Sequence, residues 1–171
     1  MQPVFKNFIP VFFLLMSLGC KNERQEITYH LPDWSSRLAV PAQTDSLKAR
    51  RAYLPVYAQI YEISEKRKID LAATISIRNT DISNTIYLSK IDYYNTEGKL
   101  IRKYIDKPVY LKPLETIEII IKSADNEGGS GANFIFEWMG KAEASKPLFE
   151  AVMLSTSGQQ GISFTCRAVD I

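Results

Sequence analysis

From residue 52 onward, apolar and polar positions alternate with the period of strands rather than of helices. Leu54, Val56, Ala58 and Ile60 alternate with Tyr53, Pro55, Tyr57, Gln59 and Tyr61, which predicts a first strand with an aliphatic face and a tyrosine face. Leu71, Ala73, Ile75 and Ile77 keep the same period, and Asn79-Thr80-Asp81 supplies a turn. Between Ile86 and Asn95 the phase changes. Ile86 and Leu88 share one face and Ile91 and Tyr93 the other, so a β-bulge near Ser89 and Lys90 is needed to return all four to one core side. Glu97-Gly98 offers a hairpin turn into Leu100 to Ile105, and Pro108 and Pro113 bracket a short edge segment around Tyr110. Further strands follow at Thr116 to Ala124, Asn133 to Lys141, Leu148 to Thr156 and Ile162 to Val169. About eight strands joined by connections too short for crossover helices predict an all-β domain over 52–171, an antiparallel immunoglobulin-like β-sandwich, with a barrel as the alternative.

The first 51 residues read differently. Lys6 precedes an apolar stretch from about Phe8, and Met16-Ser17-Leu18-Gly19-Cys20 closes it, the form of a secretory signal over residues 1–19 that is too short to span a bilayer. Cys20 resembles the lipid-attachment residue of bacterial lipoproteins, although Ser17 stands where leucine is usual. Residues 20–51 are polar and without period, which predicts a flexible tether, with Thr44 to Arg51 able to form a short capped helix. These features place the protein in the bacterial cell envelope, held to the membrane by a fatty acid such as palmitate and facing the periplasm or exterior.

Composition narrows the chemistry. Net charge is +2, and loss of Lys6 with the signal leaves +1, with both signs interspersed, so nothing points to nucleic acid. With Cys20 acylated, Cys166 has no partner in the chain, and its alternation with Ile162 and Phe164 places it on the core face as a small hydrophobe. The single histidine, His30, lies in the tether, so a serine–histidine mechanism has no base in the domain. Zinc-ligand clusters, phosphate-cradling loops and dinucleotide fingerprints are missing, and no catalytic residue or cofactor is implied.

Particular strings are similar to those of the DUF3124 family, a bacterial family of unknown function. They are Tyr53-Leu54-Pro55-Val56-Tyr57, Leu71 through Asp81, Asp92-Tyr93-Tyr94, Gly128 through Phe134, Glu150-Ala151-Val152-Met153 and Gly161-Ile162-Ser163-Phe164. The resemblance brings no activity, substrate or catalytic residue.

Two places could carry binding. The loop Asp125-Asn126-Glu127-Gly128-Gly129-Ser130-Gly131 combines oxygen-bearing side chains with glycines and could hold Ca²⁺ or an anion, or be a solvated connection whose glycines provide positive φ. Tyr53, Tyr57 and Tyr61, with Tyr94 and Tyr104 as candidate neighbours, could form an aromatic platform for sugars or simply cover a sheet. The leading expectation is a non-enzymatic, lipid-anchored interaction module whose partner is an envelope protein or glycan. A glycan-binding or glycan-cleaving domain and a calcium-dependent adhesion or sensor module are the alternatives.

Overall fold

The computed structural model describes residues 32–40, 47–157 and 161–171. The signal, Cys20 and His30 lie outside the described residues, as do Thr44 to Ser46 of the expected short helix.

Alternation builds the sheets. One antiparallel sheet takes β1 (Lys48–Val56), β5 (Ile86–Tyr94), β6 (Leu100–Lys103), β7 (Val109–Leu111), β9 (Ala132–Gly140) and β12 (Val169–Asp170). Its order is β12-β1-β9-β5, and the far edge of β5 is shared, with β7 on Ile86 to Leu88 and β6 on Asp92 to Tyr94. The second sheet orders β11 (Ile162–Arg167), β10 (Leu148–Ser155), β4 (Ala72–Arg78) and β8 (Thr116–Ile121). A separate hairpin pairs β2 (Gln59–Tyr61) with β3 (Lys68–Asp70). The described residues thus form an all-β antiparallel sandwich of twelve strands rather than eight. The excess arises because the first and last predicted strands each divide, because the edge segment around Tyr110 counts as a strand of its own, β7, and because the short β3 carries too few residues to show a period.

Inward residues of both sheets form one core. Leu54, Val56, Ile86, Leu88, Ile91 and Tyr93 of the first sheet join Ile75, Ile77, Ile119 and Met153 of the second. Phe136 stacks on Phe134 at 5.7 Å and on Phe149 at 4.3 Å between ring centroids, the latter contact crossing from sheet to sheet. Two local expectations from the sequence match the structure, one of them placing core residues. The register of β5 shifts between Leu88 and Lys90, so Ile86, Leu88, Ile91 and Tyr93 are all buried. Gly98 turns the β5–β6 hairpin with a φ of 75°.

The polar start of the domain departs from expectation. The described part of the expected helix is strand: Lys48 to Arg51 pair with Glu137 to Gly140, Arg51 bonds Glu137 at 3.1 Å, and Arg50 lies 4.8 Å from the Trp138 ring. Cross-strand partners compensate for the weak strand propensity of this run. Within the expected tether, Ser35–Arg37 forms a 3₁₀ turn opened by Asp33, whose carboxylate accepts from the Ser35 amide at 3.0 Å. Leu38 bridges to Val109, Ala39 donates to the Pro108 carbonyl, Trp34 packs on the core, and Arg37 bonds Glu115 at 2.7 Å. This stretch is docked on β7.

One buried polar hub fixes three loops at the end of the sandwich where β5 begins. The Asn79 amide nitrogen reaches the carbonyls of Asn84, Leu111 and Lys112 at 2.8, 3.1 and 3.0 Å, and its oxygen accepts from the Asp81 amide at 3.0 Å. The Asp81 carboxylate accepts from the amides of Ser83, Asn84 and Ser145 at 2.8, 2.7 and 2.8 Å. These donors, Ser145 foremost, hold its carboxyl far below the usual carboxylate range.

Candidate functional site

Register decides which side chains share the outer face of the six-stranded sheet. Tyr53, Ile135, Asp92 and Lys103 lie in one row across β1, β9, β5 and β6. The next row is Pro55, Asn133 and Tyr94. Toward the hub, Arg51, Glu137 and Lys90 form a row closed by two 3.1 Å ion pairs on the same Glu137 oxygen. Beyond it stand Met139, Tyr87 and Tyr110. Tyr53, Tyr87, Tyr94 and Tyr110 are all half-buried, with bodies on the sheet and edges in solvent. The Tyr94 hydroxyl donates to Asp92 Oδ2 at 3.3 Å, and Asp92 is only 5 % exposed. Burial raises the Tyr94 phenol above its ordinary value, and the Asp92 charge adds to this, so Tyr94 remains the donor.

The expected platform is therefore rearranged. Tyr53 and Tyr94 do meet the same face, but β1 ends at Val56, so Tyr57 and Tyr61 fall elsewhere. Tyr57 packs edge-on against Phe164 at 5.7 Å, and Tyr61 lies under Lys68 at 4.9 Å in the β2–β3 hairpin. Tyr104 packs on Phe134 and accepts from Arg102 at 3.2 Å. Tyr87 and Tyr110 were not singled out from the sequence; their outward parity on β5 and on the proline-bracketed edge segment was the available signal.

The glycine loop makes several internal contacts, while Asp125 Oδ1 is buried with no hydrogen-bond partner among the described residues. Arg102 bonds Asp125 at 3.0 Å and approaches Glu127 at 3.8 Å. Thr96 donates its hydroxyl to the Gly128 carbonyl and accepts from the Gly131 amide, each at 3.0 Å. The Gly129 carbonyl accepts from the amides of Ala58 and Gln59 at 3.0 and 3.1 Å, which ties the loop to the end of β1. Asn126 takes part through its backbone, accepting from the Gly129 amide at 3.1 Å. Among the described residues no three His, Cys, Asp or Glu side chains gather as a metal site.

The loop's glycines serve two different needs. Gly129 has a φ of 71°, as the sequence suggested. Gly128 instead has no room: a Cβ there would stand 2.0 Å from the Tyr93 hydroxyl and 2.8 Å from Ala132 Cβ. That hydroxyl is buried with no hydrogen-bond partner among the described residues. Gly128→Ala is expected to destabilise the domain by about 1–3 kcal/mol through overpacking. Tyr93→Phe alone should be neutral or stabilising by about 1 kcal/mol, since it removes an unpaired buried polar group, and should partly restore Gly128→Ala. Thermal melts of the four proteins test this; additive losses in the double variant would contradict the proposed clash.

Cys166 is half-buried rather than buried. It faces the core with Phe164 from β11, but β11 is an edge strand, and its outer end leaves Ile162 37 % exposed. Burial alone raises the thiol above its ordinary value and keeps it protonated.

The arrangement defines an antiparallel β-sandwich domain with an aromatic outer face. A family model described as "Protein of unknown function (DUF3124)" matches residues 49–171, and the chain belongs to that family. The match begins within β1, in agreement with a domain that starts before residue 52. No curated protein matches the chain. A solved structure described as "Crystal Structure of Thermotoga maritima 1070" is similar over 70 % of this chain and 92 % of its own length, at 10 % identity and a TM-score of 0.45.

Proposed function

We propose that this member of the DUF3124 family is a lipid-anchored cell-envelope protein that serves as a non-enzymatic interaction module and meets its partner through the outer face of the six-stranded sheet. Acylated Cys20 is the anchor, following the signal of residues 1–19. The observation that carries the contact surface is the convergence of Tyr53, Tyr87, Tyr94 and Tyr110 from three strands, β1, β5 and β7, onto one outward face. Tyrosines fixed on a sheet give up little side-chain freedom on binding and offer both ring and hydroxyl, which suits a protein partner. The Arg51–Glu137–Lys90 row sets a charge pattern between the two tyrosine pairs and would orient that partner.

Photo-crosslinking groups placed at residues 53 and 94 in cells should trap one common partner. Groups at Thr74 and Val152, on the outer face of the other sheet, should not. Equal yields from both faces would refute the assignment. Cys20→Ala should release the protein from membranes and abolish fatty-acid labelling; retained label in that variant would refute the anchor.

A glycan partner is the second reading, favoured by one local grouping: Tyr53 and Tyr94 flank Asp92 and Asn133, giving rings and hydrogen-bonding groups together. Retention on envelope polysaccharide that Tyr53→Ala and Tyr94→Ala abolish would select it over a protein.

A further inference from the structure

We infer that the hub end of the sandwich is a lipid-seating surface, with Ile82 and Leu114 entering the headgroup layer of a phospholipid membrane. The inference rests on the anchor reading above and concerns a different surface from the aromatic face.

Ile82 is 79 % and Leu114 67 % exposed, at the tips of the β4–β5 and β7–β8 connections. The two tips adjoin, because the Leu114 amide donates to the carbonyl of Asp81 at 3.1 Å. Leu114 also holds a φ of 58°, a left-handed conformation that is costly for leucine and cheap for glycine or asparagine. A strained backbone that presents a large apolar side chain to solvent gains nothing for folding, and such strain points to use. The tips are also rigid. Asn79 and Asp81 hold the three connections from within, and the Glu115 carboxylate accepts from the Lys112 amide at 2.8 Å across the Leu114 turn.

Charge selects the occupant. The same end carries exposed Lys48, Arg78, Lys112 and Lys141 against exposed Glu143. Asp81 is consumed in the hub, Glu115 is paired with Arg37, and Lys146 is paired with Asp170. Apolar tips within a basic rim fit an anionic headgroup layer, where interfacial burial and attraction to acidic lipids act together.

The test uses the full-length acylated protein in vesicles of phosphatidylethanolamine and phosphatidylglycerol. An environment-sensitive fluorophore is attached at Ser83→Cys, beside Ile82, or at Glu97→Cys, on the hairpin at the other end of β5, about 27 Å away by strand rise. Lipid-borne quenchers should quench the probe at 83 several-fold more than that at 97. Ile82→Ser with Leu114→Ser, both exposed and so harmless to folding, should bring residue 83 down to the level of 97 while the protein stays on the vesicles. Omitting phosphatidylglycerol should shrink the difference. Retained protein with equal quenching at the two positions, or quenching indifferent to the serine pair, would overturn the seating surface and leave the anchor intact. Protein that fails to stay on vesicles overturns the anchor reading and the seating with it.

Discussion

Phe136→Ala should lower the stability of the domain by about 3–5 kcal/mol, the cost of deleting a fully enclosed aromatic ring and leaving a cavity. Phe136 has no exposed surface and stands midway in a stack that runs from Tyr93 and Phe134 to Phe149 on the facing sheet. Its loss therefore weakens the joint between sheets as well as the packing within one. Urea denaturation should show a lower midpoint at unchanged slope, and Phe136→Leu should recover part of the loss. A drop under about 1 kcal/mol would mean that the core collapses around the missing ring and that the stack is not the joint.

The hub should be nearly as sensitive. Asn79→Ala removes the donor that serves three carbonyls and the acceptor of the Asp81 amide, and Asn79 is 2 % exposed, so water cannot easily substitute. A loss of about 3 kcal/mol is expected, from several buried groups left unpaired. Asp81 adds a pH signature. Because the fold depresses its pKa, its contribution is fully present above about pH 4, where a free aspartate is already ionised, and disappears as pH falls toward the lower folded value. Asp81→Asn should be less stable at neutral pH and should flatten this acid-side decline in melts taken between pH 2 and 6. An unchanged slope would show that other carboxylates govern acid stability.

Local pattern made much of this fold readable. The phase change after Leu88 required a bulge, and the bulge is there. Prolines at 108 and 113 marked β7 as an edge because they remove ladder donors. What was hidden depends on distance along the chain. Tyr53 and Tyr94 share a face through β9, and no single-strand period shows which strand will lie between them. Likewise, Asn79 reads locally as a turn residue, whereas its work is done on carbonyls at 111 and 112. Lys48 to Arg51 looked like linker because their strand character comes from Glu137 and Trp138 across the ladder. Gly128 and Gly129 looked equivalent and differ, since crowding by Tyr93 is a tertiary fact and positive φ a local one.

The position of β1 between β9 and β12 bears on how the domain comes into being. Its ladder partners lie at residues 132–140 and 169–170, so the early half of the sequence has no means of completing the larger sheet when it is synthesised. Such distant pairings make closure slow compared with local hairpins. A chain that still lacks its late strands can therefore form its local hairpins but cannot close this sheet, and closure waits for the last residues to be made.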